Sequence, residues 1–375
     1  MSEETCKPFM PALLPLSENV FDWSALIEEL GAANRALARY AGMLASSENL
    51  NLLLSPFFRE EIVRSNRIEG TRADTISVLR ADAGVSVRDG SERDDLQEIF
   101  NYREALESAK EEMLRRPFSL DFLCGLHRIL LQSVRGDDKS PGKFREVQNY
   151  IGSEFGGIES ATFVPPDPLS VPALMDNWIA YFFSSEKDPI VQAAILHAQF
   201  EMIHPFCDGN GRLGRMLLPL FFFQKGILPA PVFYMSRRLE RFETEYRSAL
   251  HDISAKSAWM PWILFFVRVV RGQAEENLKI LEQIRAFYRE SKALIAAKMR
   301  SRHALPLFDA IVAQPIFRIA SLKFASAPSR LSVANSVSEF EKLGLIRRIE
   351  DASGRRGALF VCPKLMNIAE QKEIF

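Results

Sequence analysis

The residues best suited to do chemistry stand in one run, His204-Pro205-Phe206-Cys207-Asp208-Gly209-Asn210-Gly211-Arg212-Leu213-Gly214-Arg215. A helix that reaches this run must stop at Pro205. A tight turn with two glycines follows, and the apolar stretch beyond it reads as a new helix over 212–225. Phosphate chemistry wants that order. The N–H groups of Gly209, Asn210 and Gly211 would lie at a helix N-terminus without intrahelical partners, forming a nest for an anion. Glycine permits the positive φ such a turn needs and lets a phosphate approach the backbone. Arg212 and Arg215, three apart, can project from one side of the new helix as charged forks for a polyphosphate. Asp208 offers a single carboxylate beside the nest, enough for a Mg²⁺ that completes its shell with phosphate oxygens and water. His204, with an ordinary pKa of ~6.5, is largely neutral at cytoplasmic pH and could take a proton from a nucleophile.

The elements that must position this run are mostly helices joined by short loops. Composition and helical spacing predict helices over 25–44, 94–112, 119–134 with Ser119 as N-cap, 190–203 opened by Pro189, 237–254 and 261–299. Ser55-Pro56 reads as an N-cap and first helical residue, opening a helix that runs to about Glu69 before Gly70. Segment 144–168 differs. Two β-prone pieces flank Gly156-Gly157 and end in a proline pair, which predicts a hairpin or flap. Beyond 301, short helices over 305–311, 319–324 and 332–343 precede strands over 345–349 and 358–361, the order of a winged helix-turn-helix. The expected fold is all-α, mainly helical, with a small β-hairpin flap and a C-terminal winged helix-turn-helix. The expected divisions are an N-terminal helical region over 1–115, a core with its flap over 116–230, a helical extension over 231–300 and a winged-helix domain over 301–375.

The run from His204 to Arg215 resembles the Fic (filamentation induced by cAMP) family motif H-P-F-x-[DE]-G-N-G-R-x-x-R at every fixed position. Phe144-Arg145, Gln148-Asn149-Tyr150-Ile151-Gly152 and Ala161-Thr162-Phe163-Val164-Pro165-Pro166 are similar to that family's target-docking flap. The resemblance implies transfer of AMP from ATP to a hydroxyl side chain of a protein, with pyrophosphate leaving. It implies His204 as general base and Asp208 as the Mg²⁺ ligand. It also implies an ATP site built from Gly209, Asn210, Gly211, Arg212, Leu213, Gly214 and Arg215, with the two arginines on the β- and γ-phosphates. Ser65-Asn66-Arg67-Ile68-Glu69-Gly70 resembles the inhibitory pattern [ST]-x-x-x-E-[GN]. A Glu in the last turn of a helix opposes the macrodipole, so Glu69 needs another reason to be there. The resemblance supplies one: a salt bridge from Glu69 to Arg215 that denies the γ-phosphate its site, with Ser65 steadying the helix and Gly70 ending it. One region departs from the family. Relatives often read Y-L-S-x-Y-F-E-x-N-R-x-x-Y-Y where this chain has 234–247, so Phe242 or Tyr246 is left to stack on the base.

The remaining signals set limits. The chain has 375 residues, 47 basic and 48 acidic, and a net charge of -1, so no global field draws it to nucleic acid or membrane. The segment after 300 holds 11 basic and 7 acidic side chains, a balance of +4 against -5 for the rest. Four scattered cysteines indicate neither a disulfide framework nor a zinc site. No targeting segment or membrane span is expected, which points to the cytoplasm. Phe206 and Cys207 read as core residues of the turn, His197 as a buried hydrogen-bonded histidine, and His127 as a residue without a partner in sequence. The implied partners are ATP and an unidentified target protein docked at the flap; a homodimer and DNA contact through the winged helix stay open. The same site would also serve transfer of UMP or another phosphate-linked group, or removal of AMP with Glu69 aligning a water. A rival reading makes the chain a winged-helix DNA-binding regulator with a nucleotide-sensing core.

Overall fold

The computed structural model describes residues 7–47, 49–86, 89–132, 134, 139–152, 157–322, 329–353 and 356–375. The described helices are α1 (Trp23–Ala45), α2 (Leu50–Ile68), α3 (Thr75–Asp82), α4 (Gly90–Met113), α5 (Leu120–Leu130), α6 (Val171–Phe183), α7 (Pro189–Ile203), α8 (Asn210–Gln224), α9 (Ser236–Arg241), α10 (Glu243–Lys256), α11 (Trp259–Lys298), α12 (Ala304–Ala313), α13 (Arg330–Lys342) and α14 (Pro363–Glu370). The strands are β1 (Ile151–Gly152), β2 (Ala161–Phe163), β3 (Ile316–Arg318), β4 (Arg347–Glu350) and β5 (Leu359–Val361). A mainly helical fold with small antiparallel strands is what the patterning predicts.

The chain divides into two compact units: Met1–Ala45, Arg64–Thr71 and Gln97–Glu275 form one, and Ser46–Val63, Arg72–Leu96 and Glu276–Phe375 the other. In the first unit α7 is the central helix, flanked by α6 and α8. Every residue of α7 from Ile190 to Phe200 is buried, so no polar face remains to give it periodicity. Asp188 caps its N-terminus by accepting from the Ile190 and Val191 N–H groups, with Pro189 in the first turn. Two indoles tie neighbours to it: Trp178 Nε1 donates to the Leu196 carbonyl and Trp262 Nε1 to the Ala194 carbonyl, both at 2.9 Å. Each indole thus buries its large apolar area with its one polar atom satisfied. The flap leaves this body as β1 and β2, antiparallel, with Ile151 opposite Phe163 and Gly152 opposite Ala161; residues 153–156 of the predicted hairpin lie outside the described residues.

In the second unit β3, β5 and β4 form an antiparallel sheet in that order. Leu79 in α3 and Ala83 just after it pack with Ile316, Leu359, Val361 and Met366 in one core cluster.

Several elements differ from the sequence expectation. Helix α2 begins at Leu50, six residues early, and takes Pro56 into its interior. Burial of Leu53, Leu54 and Phe57 compensates for the hydrogen bond the proline removes. The helix expected over 237–254 is two, broken at Phe242, and the one expected over 119–134 ends at Leu130. Helices α3, α6 and α14 and strand β3 were not expected at all. Residues 319–321 form a short 3₁₀ turn; the rest of the helix expected over 319–324 reaches beyond the described residues.

Candidate active site

The turn between α7 and α8 is made by its own residues. His204 caps α7 in the left-handed conformation (φ 48°, ψ 60°), and its N–H donates to the Phe200 carbonyl at 3.0 Å. That conformation costs a non-glycine residue roughly 1–2 kcal/mol, so contacts must hold it. Gly209, at φ 75°, reverses the chain as N-cap of α8. Asn210 staples the turn to the Phe206 peptide: its Oδ1 accepts from the Phe206 N–H at 2.9 Å and its Nδ2 donates to the Phe206 carbonyl at 2.8 Å. Asp208 Oδ1 accepts from the Gly209 N–H at 2.5 Å. The buried His127 adds a clamp that sequence reading missed. Its Nδ1 accepts from the Gly142 N–H at 2.8 Å, which leaves Nε2–H to donate to the Asp208 carbonyl at 2.9 Å, while its ring stacks on Phe206 at 3.8 Å.

Both arginines of the run are engaged. Arg215 donates through Nε to Ser65 Oγ at 3.0 Å, and through Nη2 to the Ser65 carbonyl at 2.7 Å and to Glu69 Oε1 at 2.8 Å. The Glu69 carboxylate lies over Gly211, where a Cβ would collide with its Oε1. It therefore stands at the N-terminal turn of α8, where the nest was expected. Burial works against the Glu69 charge, but the Arg215 ion pair and hydrogen bond outweigh it, with Arg212 and Arg247 adding to them, and hold its pKa below the ordinary carboxylate range. Arg212 is buried against a partner the sequence did not reveal: its Nη1 donates to Glu98 Oε2 at 3.3 Å, and Nη2 lies 3.7 Å from Asp208 Oδ1. Glu98 Oε2 also accepts from Thr71 Oγ1 at 3.2 Å. The Arg212 Nε is buried without a partner, a donor that awaits an acceptor.

A cavity of about 680 Å³ opens here, lined by His204, Gly211, Arg215, Glu69, Glu201 and Tyr246 and walled by the flap strands. That volume suits a nucleotide-sized ligand. The partial exposure of Glu69, Glu201 and His204 is onto this cavity, so each is reachable by solvent yet surrounded by protein. His204 Nδ1–H points to the Glu201 carbonyl at 3.3 Å, which leaves the lone pair on Nε2, and burial holds its pKa down at about 4. Burial pushes the Glu201 carboxyl up to about 7, and its Oε1 has no partner. His197 donates from Nδ1 to the Gly214 carbonyl at 3.3 Å and accepts the Tyr246 hydroxyl on Nε2 at 2.8 Å, which fixes that ring in the cavity wall. Phe242 is not brought in. It caps α9, is 37% exposed, and lies beneath the Arg238 guanidinium at 6.0 Å.

The buried histidines predict an acid limb for stability. Burial depresses His127 to about 4 and His197 to about 3, below the value of 6.5 they regain on unfolding. The unfolded chain therefore binds protons that the folded one does not. Their neutral burial contributes fully above pH 6.5 and is lost as pH falls, by about 1.4 kcal/mol per pH unit for each. The thermal midpoint should drop between pH 6.5 and about pH 4.5; a flat or rising midpoint would mean that these rings are not buried neutral.

Residues 117–222 match the Fic/DOC family, and residues 27–111 match the Fic/DOC family N-terminal region, together just over half of the chain. The chain belongs to the Fic/DOC family. Among curated proteins it is similar to the protein adenylyltransferase Fic of Drosophila willistoni, 31% identical over 177 residues, and to that of Drosophila virilis, 32% identical over 177 residues. These matches take in 45% of this chain but 33% and 34% of the relatives, so the chain spans about a third of their length. Among solved structures, a Fic family protein from Desulfovibrio desulfuricans G20 matches with a TM-score of 0.55 at 17% identity, covering 95% of this chain and 98% of that one. Fic-1 of C. elegans matches at 0.53 and 21% identity, covering 72% of this chain and 76% of that one. At those identities the likeness shows the fold. None of the described helices is long and apolar enough to cross a membrane.

Proposed function

We propose that this Fic-family chain is a protein adenylyltransferase, moving AMP from ATP to a Ser, Thr or Tyr hydroxyl of a target protein and of itself, and that Glu69 holds it slow. The observation that carries this reading is the Glu69 carboxylate, an anion seated at the α8 N-terminus on Arg215. A helix N-terminus with a guanidinium beside it, where that guanidinium already holds one carboxylate, suits a phosphate. Arg212, whose buried Nε has no partner, would supply the second cation for the same polyphosphate.

In the reaction the target hydroxyl oxygen attacks the α-phosphorus, the bond from that phosphorus to the bridging oxygen breaks, and pyrophosphate leaves with the electron pair. His204 Nε2 takes the hydroxyl proton; its low pKa in this state keeps it in the base form. The amides of Asn210 and Gly211, with Leu213 and Gly214 behind them, cradle the phosphates, while the Gly209 N–H stays on Asp208 Oδ1. The Asn210 side chain holds the turn itself. A target chain laid along the β1–β2 edge would bring its hydroxyl past His204. Asp208 fits a divalent cation: its carboxylate is 41% exposed, both its contacts are made by Oδ1, and Mg²⁺ is ordinarily held by one or two carboxylates plus phosphates. Such an ion would supply charge neutralisation on the phosphates. Asp208→Ala should abolish transfer at every Mg²⁺ concentration; a variant that stays active and still needs the metal would place the ion elsewhere.

The turn carrying Glu69 is latched from the 234–247 segment. Glu240 accepts from Arg64 at 2.6 Å and from Arg67 at 3.3 Å, and Arg247 Nη2 donates to the Ile68 carbonyl at 3.0 Å. Glu240→Ala should loosen the latch while the carboxylate of Glu69 remains, raising the self-modification rate by roughly 3–10-fold, the scale of a partly exposed ion pair worth about 1 kcal/mol. A wild-type rate would show that the latch holds nothing. For residues 304–361, the order helix, strand, helix and hairpin supports the winged-helix reading. The reading as a whole is tested by incubation with ATP labelled at the α-phosphate: label should enter the protein, and label confined to free nucleotide would refute it.

A further inference from the structure

The chain segment that enters the flap meets the catalytic turn in a way the proposed chemistry does not by itself require. A helix leaves its last carbonyls without intrahelical donors. Here four successive carbonyls, that of the last α7 residue and those of the three turn residues after it, are all answered from residues 145–149. Arg145 Nη2 donates to Ile203 at 3.4 Å and Nε to His204 at 2.9 Å. The Arg145 backbone N–H donates to Pro205 at 2.9 Å, and Asn149 Nδ2 donates to Phe206 at 3.0 Å. The same guanidinium reaches both legs of the flap, donating to the Val147 carbonyl at 3.3 Å and to the Pro166 carbonyl at 2.5 Å. Arg145 is 2% exposed. Its donors go to the base-bearing turn and to the two flap legs at once.

We infer that Arg145 is a positioning residue that locks the flap and the left-handed His204 turn into one body, so that a hydroxyl presented at the flap edge meets the base at a fixed distance. The inference rests on the transferase reading and deepens it. Lysine cannot replace this side chain, because a compact ammonium with three donors cannot span carbonyls that a planar fork reaches together.

The experiment uses the full chain carrying Glu69→Gly, with and without Arg145→Lys. Hydrogen exchange is followed in 147–152, 161–166 and 203–206, and self-modification is followed across ATP concentrations. Arg145→Lys should raise exchange in the flap legs and in the turn together, leaving α6 and the body of α7 unchanged. The maximal rate should fall ~100-fold while half-saturating ATP stays within about two-fold, since displacement of a positioned group by an ångström has effects of that size. Exchange that rises in only one of the two places, or in neither, would overturn the lock, as would an unchanged maximal rate in an active parent. If the parent itself transfers no AMP, the transferase reading has failed, and the exchange result still decides the lock. Asn149→Ala removes one of the four contacts and spares the guanidinium. It should give the same paired rise in smaller measure, and no rise would overturn the inference even if Arg145→Lys did not fold.

Discussion

Replacing Glu69 by glycine should raise the rate of self-modification by orders of magnitude. In the folded chain the Glu69 carboxylate takes a donor of Arg215 and the space over Gly211 at once. On the proposed reading, a triphosphate bound under those conditions would be kept from Arg215, and its α-phosphate would be turned away from the line of attack. Well-oriented reactants gain up to ~7–11 kcal/mol over misplaced ones, so partial realignment is enough for a large effect. Affinity for ATP should change far less, because the α8 amides and Arg212 are unaltered by the substitution. Arg215→Ala combined with Glu69→Gly should stay slow, since the freed guanidinium is then missing. Equal rates for wild type and Glu69→Gly would leave Glu69 as an ordinary helix-end carboxylate.

His204→Ala, made in the Glu69→Gly chain, should remove transfer while nucleotide binding persists. General-base catalysis is worth ~10²–10⁴-fold, and the loss should fall in the maximal rate and not in the ATP concentration needed. The imidazole makes no contact with the α8 amides and donates its only N–H to the Glu201 carbonyl, so its removal leaves the nest standing. Near-normal transfer by this variant would assign the proton to another group, and Glu201, a half-buried residue lining the same cavity, would be the first to test.

The parts of this architecture that were legible in the sequence are the local ones. Pro205, Gly209 and Asn210 build their turn from contacts within four residues, so the run from His204 to Arg215 announces a helix–turn–helix joint without help from the rest of the chain. The Ser119 cap and the opening of α7 at Pro189 are likewise local. Helix α6 was missed although Val171, Leu174, Met175, Trp178, Tyr181 and Phe182 recur at helical spacing; that signal was present. What could not be read are the partners supplied from afar. His127 meets Asp208 from 81 positions away and Glu98 meets Arg212 from 114, and nothing in either local sequence names the other. Glu201 shows the same limit: its burial against Gly214 depends on how α7 and α8 pack.

The most direct measurement is the intact mass of the Glu69→Gly chain after incubation with ATP and Mg²⁺, taken with the pyrophosphate released. The chain should gain the mass of one adenylyl group, AMP less a water, in step with pyrophosphate appearing, and neither should occur when His204→Ala is added. A chain that gains the mass of a phosphate, or gains nothing while ATP is consumed, would contradict adenylyl transfer at this site.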